Sequence, residues 1–446
     1  EKLRDRLKPY VRLLRTDPWG YPLVHPKGAF VVVLGADRRE TGTHYTPKNL
    51  TERIVEETLT PLVYDGPAKG AARNEWKLKT PDWLLDLKVC DPAMGSGAFL
   101  VQACLFLSAR LVEAWAIEEQ AGRIVDLTGQ VHEPRTSVET MPPGVEVRAE
   151  NARRIVAESC LYGVDLNPLA VELAKLSLWL VTLSKGRPFG FLDHNLRRGD
   201  SLLGISSLKQ LTELSLDPSA TKQGRLFGNA IQRAVDEAVE LRRKLHEIPI
   251  RDIRDVEAMA TLDADARKKL EAAELLADAV IGAVFRGGTA KTIETRLAAL
   301  GAQADQVVEG ADRAAEPMRH QANDDLGARR PFHWALDFAD VFSQAVPGFD
   351  AVIGNPPWAS YSGRQAVPLA EGDARYYGVA FRLFGGWKAL HSLFIERAWS
   401  LTKTGGTLGL LLPAQVADLD GYGPARELLR EWFDVAEPLP YFGEDA

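Results

Sequence analysis

A short apolar strand, a turn and a long helix follow one another in the same order at two places in the chain. Residues 87–90 (Leu-Lys-Val-Cys) predict a buried strand, and residues 91–97 (Asp-Pro-Ala-Met-Gly-Ser-Gly) a turn that opens an apolar helix. Residues 161–164 predict a second strand, and residues 165–168 a turn before a second helix. This succession is typical of parallel strands joined by helical crossovers. We therefore predict an α/β fold whose mostly parallel sheet carries helices on both faces.

Four segments differ in their patterns. Residues 1–40 form an N-terminal extension, and residues 41–215 and 330–446 carry the α/β pattern. Residues 216–329 instead repeat apolar side chains at helical spacing among many Arg, Glu and Ala residues, which predicts a helical insertion, such as a hairpin of long helices. Within it, we expect the acidic stretch at residues 263–265 to lie on a solvated helix surface.

Composition narrows the classes of protein. Among the 446 residues no apolar run reaches the ~18 that a membrane span needs. Cys90, Cys104 and Cys160 are the only cysteines, and they lack CxxC spacing, which argues against a disulfide framework and a zinc site. We therefore expect no metal and a reduced, cytoplasmic location. The net charge of −7 does not favour a nucleic-acid partner, although a basic cleft can occur on an acidic protein.

The turn at residues 91–97 has the composition of a ligand site. In an open parallel sheet, ligands bind at the carboxyl ends of the strands. Gly95 and Gly97 lack Cβ atoms, so the backbone can approach a bound nucleoside or amino acid closely. The following helix start offers free amide donors to a carboxylate. The alternative is an ordinary strand–helix turn that needs positive φ angles.

Two further acidic residues follow predicted strands. Asp165 can accept hydrogen bonds from both ribose hydroxyls of a nucleoside, or it can cap the next helix. Asp200, in Arg-Gly-Asp-Ser-Leu-Leu, is a third candidate ligand, and a surface turn is its alternative.

The most specific motif is Asn-Pro-Pro-Trp at residues 355–358. Two consecutive prolines remove two backbone donors and fix both φ angles, which leaves a rigid loop with free carbonyl groups. The Asn355 side-chain oxygen and the Pro356 carbonyl could together accept both hydrogens of an aromatic amino group. Trp358 adds a flat face on which a base can stack. The alternative is a strand-ending turn with a buried tryptophan.

In this order, these motifs resemble the gamma class of DNA amino-methyltransferases. The resemblance rests on Thr46-Pro47, the turn at residues 91–97, Asp165, Asp200 and the motif at residues 355–358. It is strongest to the adenine-modifying subunits and fusions of restriction–modification and related phage-defence systems. It covers roughly residues 41–215 and 330–435, and it includes Phe-His-Trp-Ala-Leu-Asp-Phe at residues 332–338.

The resemblance implies a Rossmann-like class I methyltransferase fold, S-adenosylmethionine as cofactor and a role for each motif residue. Thr46 would contact the methionine part of the cofactor, and the turn residues Asp91, Ala93, Gly95 and Gly97 would line its pocket. Asp165 and Leu166 would bracket ribose and adenine, and Asp200 would bind the adenine amino group. Asn355 and Pro356 would take the target amino group, and Trp358 would stack on the target base.

The same resemblance implies double-stranded DNA as the partner, with one adenine flipped out of the duplex and methylated at N6. No cysteine nucleophile is needed, because the methyl group passes directly to the amino nitrogen. The sequence lacks an initiator methionine, and an aromatic motif that usually contacts the other face of the flipped base is not visible before Ala446. We therefore expect a piece of a longer protein that carries a target-recognition domain, specificity subunit or nuclease elsewhere.

A second departure and two alternatives remain. About sixty-seven residues separate Gly97 from Asp165, so residues 117–156 look inserted into the crossover. Related Asn-Pro-Pro-aromatic loops also serve methyltransferases that act on rRNA guanine or on a protein glutamine. A non-catalytic DNA-recognition or scaffold subunit is the alternative from a different class.

Overall fold

The computed structural model describes most of the chain beyond residue 45. The described residues are 46–66, 70–182, 192–216, 228–246, 248, 252–308, 312–363 and 366–435. The predicted N-terminal extension at residues 1–40 lies outside them.

The first half of the described chain contains five helices and seven strands. The helices are α1 (Lys48–Val63), α2 (Pro81–Asp86), α3 (Ala98–Gln120), α4 (Val145–Ser159) and α5 (Pro168–Thr182). The strands are β1 (Tyr64–Asp65), β2 (Lys77–Leu78), β3 (Val89–Asp91), β4 (Ile124–Val125), β5 (Val131–His132), β6 (Leu161–Asp165) and β7 (Leu196–Arg198).

The second half is mainly helical. Its helices are α6 (Leu208–Thr212), α7 (Gly228–His246), α8 (Ile253–Phe285), α9 (Ala290–Val308), α10 (Asp312–Leu326), α11 (Trp334–Asp337), α12 (Ala339–Phe342), α13 (Glu371–Ala380), α14 (Leu390–Leu401), α15 (Gln415–Asp418) and α16 (Gly423–Trp432). Its strands are β8 (Phe349–Gly354) and β9 (Thr402–Leu410).

Five strands form the central sheet in the order β7-β6-β3-β8-β9, and every neighbouring pair is parallel. The strand order reverses between β3 and β8. A ligand crevice is expected at this reversal, outside the carboxyl ends of the two strands. The predicted Rossmann-like α/β fold is therefore confirmed.

The two faces of the sheet are buried against different helices. Val89 and Ala351 pack with residues of α1 to α5 on one face, and Cys90 and Val352 pack on the other. The second face contacts an aromatic group supplied largely by the segment at residues 332–338, in which Phe332, Trp334 and Phe338 contact one another and Tyr162 or Phe349. Burial on both faces explains why the central strands β3 and β8 are mainly apolar, with Asp91 and Asp350 as buried exceptions.

Helix α3 is the one described helix that is long and apolar enough to cross a membrane. Its buried side chains, including Leu100, Leu107 and Trp115, belong to the hydrophobic core on the first face of the sheet. It packs against α1, α4 and β3, as a core helix does. The inserted residues 117–156 form the end of α3, the β4–β5 hairpin and the first part of α4.

The segment between β7 and β8 forms four long helices, α7 to α10, rather than a single hairpin. Helix α8 contacts the other three and shares a core with the loop after β7. The expectation that residues 263–265 are all solvated was wrong for Asp263, which is 4% exposed. Its carboxylate pairs with Arg197 of β7 at 3.0 Å, because two buried charges need one another when helix and sheet pack together.

Candidate active site

The turn after β3 folds back on the ends of the sheet. Asp91 is 1% exposed, and its Oδ1 accepts the Ala93 N–H at 3.0 Å. Gly95 and Gly97 have left-handed φ angles of 54° and 83°, and a Cβ on Gly97 would lie 3.2 Å from the Ala174 Cα on α5. The positive φ angles expected for an ordinary turn are therefore present, together with a close approach between two helices that only glycine permits.

Asp165 joins the end of β6 to this turn. Its Oδ2 accepts the Gly95 N–H at 2.9 Å, and its Oδ1 accepts the Asn167 N–H at 2.8 Å. The helix-capping role belongs instead to Asn167, whose Oδ1 accepts the Leu169 N–H at 3.0 Å in the first turn of α5. Leu166, the next residue, is 55% exposed. Asp165 is therefore placed beside the glycine turn, with free lone pairs on both oxygens.

Asp200 lies in a buried loop that several side chains hold in place. Its Oδ1 accepts the Leu202 N–H at 3.0 Å. The Ser201 hydroxyl donates to the Pro92 carbonyl at 2.5 Å, which ties this loop to the turn after β3. Arg397 of α14 donates to the Leu202 carbonyl at 3.0 Å. The surface-turn alternative for Asp200 does not fit this loop, because Asp200 is half-buried and residues 201–205 are buried.

Ser201 and Arg397 were not singled out from the sequence. Ser201 is adjacent to Asp200, but a serine in a turn carries no specific pattern. Arg397 is 4% exposed and lies on the otherwise apolar side of α14 that faces the helical core. A lone arginine among apolar helix positions is the signal that could have indicated it.

The three carboxyl groups are electrostatically unusual. Burial, with a smaller contribution from the nearby charge of Asp165, raises the pKa of Asp91 to about 8, although the hydrogen bond from the Ala93 N–H lowers it. Burial also raises the pKa values of Asp165 and Asp200 above the ordinary range. Neither Asp91 nor Asp165 forms a salt bridge with any of the described residues. These carboxyl groups are therefore costly to ionise, and a cation bound beside them would favour their ionised forms.

The end of β8 meets the end of β3 at Gly354. A Cβ on Gly354 would lie 2.6 Å from the Asp91 Oδ1, so only glycine fits here. The Gly354 carbonyl accepts the Leu411 N–H at 2.9 Å, which fixes the strand end from the other side. This contact sets the Asn-Pro-Pro-Trp motif directly beside the glycine turn, across the reversal in strand order.

The Asn355 amide has one satisfied end and one unsatisfied end. Its Nδ2 donates to the Thr46 Oγ1 at 3.1 Å, whereas its Oδ1 is buried and has no hydrogen-bond partner among the described residues. An unsatisfied buried polar atom costs about 1–3 kcal/mol. Such an atom next to a ligand crevice indicates where a donor from a ligand would bind.

The remaining residues of the motif frame this oxygen. Pro356 is buried, and Trp358 is 39% exposed with its Nε1 donating to the Leu411 carbonyl at 3.4 Å. Trp358 is therefore not the buried tryptophan that a purely structural turn would have. Trp358 and Leu166, which follow β8 and β6, both keep apolar surface exposed.

Two models of known protein families match this chain. The Eco57I restriction-modification methylase family matches residues 159–435, and the DNA-methyltransferase domain of MmeI matches residues 69–192. The first match covers more than half of the chain. The chain belongs to the Eco57I restriction-modification methylase family. The resemblance to a restriction–modification DNA methyltransferase is thus confirmed at the level of the family.

A similar protein in this group is a putative type II restriction enzyme and methyltransferase of Methanocaldococcus jannaschii. It is 24% identical over 422 residues, which cover 84% of this chain and 32% of that protein. The chain thus spans about a third of the length of this curated relative. The residues that match the Eco57I family, 159–435, include Asp165, Asp200 and the motif at residues 355–358.

Proposed function

We propose that this chain transfers a methyl group from S-adenosylmethionine to the N6 amino group of an adenine in DNA. The observation that carries the proposal is the buried, unpaired Asn355 Oδ1 beside the carboxylate-lined turn. An amide oxygen in this position suits a neutral N–H donor. The desolvated carboxyl groups across the strand reversal suit a positively charged ligand that carries hydroxyl groups.

The residues present fit the cofactor. Each Asp165 oxygen holds one backbone N–H and retains a lone pair for a ribose hydroxyl. Leu166 would cover one face of the cofactor's adenine, and Asp200 would accept from its amino group. Asp91, with Ala93, Gly95 and Gly97, would surround the methionine part together with Thr46. When bound, S-adenosylmethionine supplies an electrophilic methyl group on a sulfonium ion.

The protein's contribution to the reaction is positioning. The adenine must leave the duplex to reach the crevice, and Trp358 would stack on it. The Asn355 Oδ1 and the Pro356 carbonyl would accept both amino hydrogens, so that the nitrogen lone pair is drawn out of conjugation and becomes nucleophilic. When the nitrogen gains the methyl group, the sulfonium would become a neutral thioether and one amino proton would be released to water. A thiolate takes no part, because burial raises the pKa of Cys104 and Cys160 to about 12 and raises the pKa of Cys90 well above its ordinary value.

The segments would divide this work. Residues 41–215 would form the cofactor half and residues 330–446 the target-base half, with residues 216–329 as a helical insertion and residues 1–40 as an extension. The curated relative is about three times longer. For that reason a target-recognition domain, a specificity subunit or a nuclease domain is proposed as a further partner. A cytoplasmic location suits a DNA substrate and three free cysteines.

Identification of the product tests the proposal. The protein is incubated with methyl-deuterated S-adenosylmethionine in three parallel reactions, which contain genomic DNA that lacks methylated bases, rRNA or cell protein, and the digested nucleosides and peptides are analysed by mass spectrometry. Deuterated N6-methyl-2′-deoxyadenosine is expected, and Asn355→Ala should form far less of it. Label in N4-methylcytosine, in rRNA or on protein glutamine instead would reject the adenine assignment, and no label in any of them would favour a non-catalytic subunit.

A further inference from the structure

Thr46 and Asn355 lie 309 residues apart in sequence and share one hydrogen bond. Thr46 is 5% exposed and directly precedes Pro47 and helix α1. Helix α1 packs against β8 and β9, so its start is fixed relative to the end of β8. The Thr46 hydroxyl therefore has a defined position beside the Asn355 amide.

An asparagine amide can rotate by 180° and exchange its oxygen and nitrogen. A threonine hydroxyl tolerates either orientation, because it can accept from the amide N–H or donate to the amide oxygen. Only the first orientation leaves Oδ1 free for a target amino group, and that is the orientation in the structure. The second orientation would present an NH₂ group to the target, which repels an amino donor.

The single hydrogen of the Thr46 hydroxyl decides between these orientations. A hydroxyl that donates its hydrogen to an anion can then only accept from its other neighbour. Among the described residues, no hydrogen bond gives the Thr46 hydroxyl an acceptor. A carboxylate that binds beside Thr46 would take this hydrogen and leave the Asn355 N–H as the only group that Thr46 can bond.

We propose that Thr46 is a positioning residue that couples cofactor binding to the target-base loop. The cofactor's carboxylate accepts from the Thr46 hydroxyl, the hydroxyl accepts from the Asn355 amide, and the amide oxygen is thereby aimed at the target base. Hydrogen bonds in such a chain polarise one another, so the carboxylate also makes Oδ1 a stronger acceptor. This inference rests on the proposed function and adds to it an order of events, in which the bound cofactor prepares the site for adenine.

The amide group can be observed without catalysis. Asparagine is labelled with ¹⁵N, and the Asn355 side-chain signal is identified by its absence in Asn355→Ala. We expect S-adenosylhomocysteine, which has the carboxylate, to move one Asn355 amide proton downfield and slow its exchange. Methylthioadenosine, which lacks the amino-acid part, should not. Equal shifts with both ligands, or no shift with either, would overturn the relay.

Variants of Thr46 extend the test to the reaction. Thr46→Val keeps the shape but removes the hydroxyl, and at saturating cofactor its single-turnover methyl transfer should fall about 10- to 100-fold. Thr46→Ser should recover most of the rate. Thr58→Val is the matched control, since the Thr58 hydroxyl donates only to the Ile54 carbonyl of the same helix. A Thr46→Val protein with a raised KM and an unchanged saturated rate would show a cofactor contact alone.

The two proposals fail in distinguishable ways. If the wild-type protein forms no methyladenine, the proposed function is wrong, whatever the amide signal does. If methyladenine forms but Thr46→Val transfers methyl groups at the wild-type rate, only the role given to Thr46 is wrong.

Discussion

The two sides of the crevice use opposite chemistry. The side formed by β3, β6 and β7 carries three carboxyl groups, of which Asp91 is buried and Asp165 and Asp200 are half-buried, and desolvation raises all three pKa values. The side formed by β8 carries no charge in its motif and offers an amide oxygen and a proline carbonyl. The two sides touch at Gly354 and Asp91.

This difference matches two different ligands. A cationic ligand regains favourable interactions from carboxylates that are costly to ionise in the empty protein. A neutral amino group needs acceptors of fixed direction, which the β8 side would supply. A carboxylate on the β8 side would instead attract the cationic cofactor away from the other carboxylates. If this comparison is right, substitutions on one side should change cofactor affinity, and substitutions on the other should change the rate of transfer.

The largest effect is expected from Asn355→Ala. It removes the acceptor that would bind the target amino group, so kcat should fall about 10²- to 10³-fold. The dissociation constant of the cofactor, measured by calorimetry, should change little, because no carboxyl group is altered. A wild-type rate in this variant, or a large loss of cofactor affinity without a loss of kcat, would break the comparison.

Asp165→Asn should weaken cofactor binding about 10- to 100-fold, because it removes a charge and one acceptor beside the ribose position. Once the cofactor saturates, kcat should largely recover. Asp126→Asn is the matched control. Asp126 also accepts backbone N–H groups, from Thr128 and Gln130, but it lies in the β4–β5 hairpin beyond the far end of the 23-residue helix α3. If both variants lost cofactor affinity to a similar extent, the loss would reflect a general change in protein stability and not a contact of Asp165 with the cofactor.

Asp91 should make both the stability of the cofactor-free protein and the affinity for the cofactor depend on pH. Its pKa in the folded protein is raised from 3.8 to about 8, so the folded state retains a proton that the unfolded state releases. The free energy of unfolding of the cofactor-free protein should therefore fall as the pH rises from 3.8 towards about 8.

A cationic cofactor favours ionised Asp91, so binding should release a proton. Its affinity should rise with pH up to about 8, by at most about tenfold per unit. Asp91→Asn removes both trends, and any slope that remains belongs to the titration of the ligand itself. Identical pH profiles in the two proteins would show that Asp91 does not ionise on binding.

The smallest effect is expected from Leu166→Ala. A half-exposed leucine that covers a bound adenine contributes about 1 kcal/mol, or about fivefold in the dissociation constant of the cofactor. Leu169→Ala is the control, because Leu169 is 64% exposed in the first turn of α5, just beyond the crevice. An equal change in both variants would remove Leu166 from the cofactor pocket.

Part of the site was predictable because it depends on local chemistry. The turn at residues 91–97 needs two left-handed glycines at the junction of strand and helix, and glycine is the residue type that such φ angles favour. The rigid loop at residues 355–358 follows from two prolines. The burial of Asp263 and the role of Arg397 were missed, because periodicity within one helix does not show which charged residue on another segment will face it.

The sequence alone determined the succession of strands, turns and helices and the residue types at the strand ends. These follow from apolar periodicity and from the backbone preferences of glycine and proline. Only the tertiary structure decided that the Asn355 amide donates to Thr46, that Gly354 lies against Asp91, and that the Asn355 oxygen has no partner among the described residues. The order of strands in the sheet brings residues that are hundreds of positions apart to the same edge, and that order is a property of the whole packed chain.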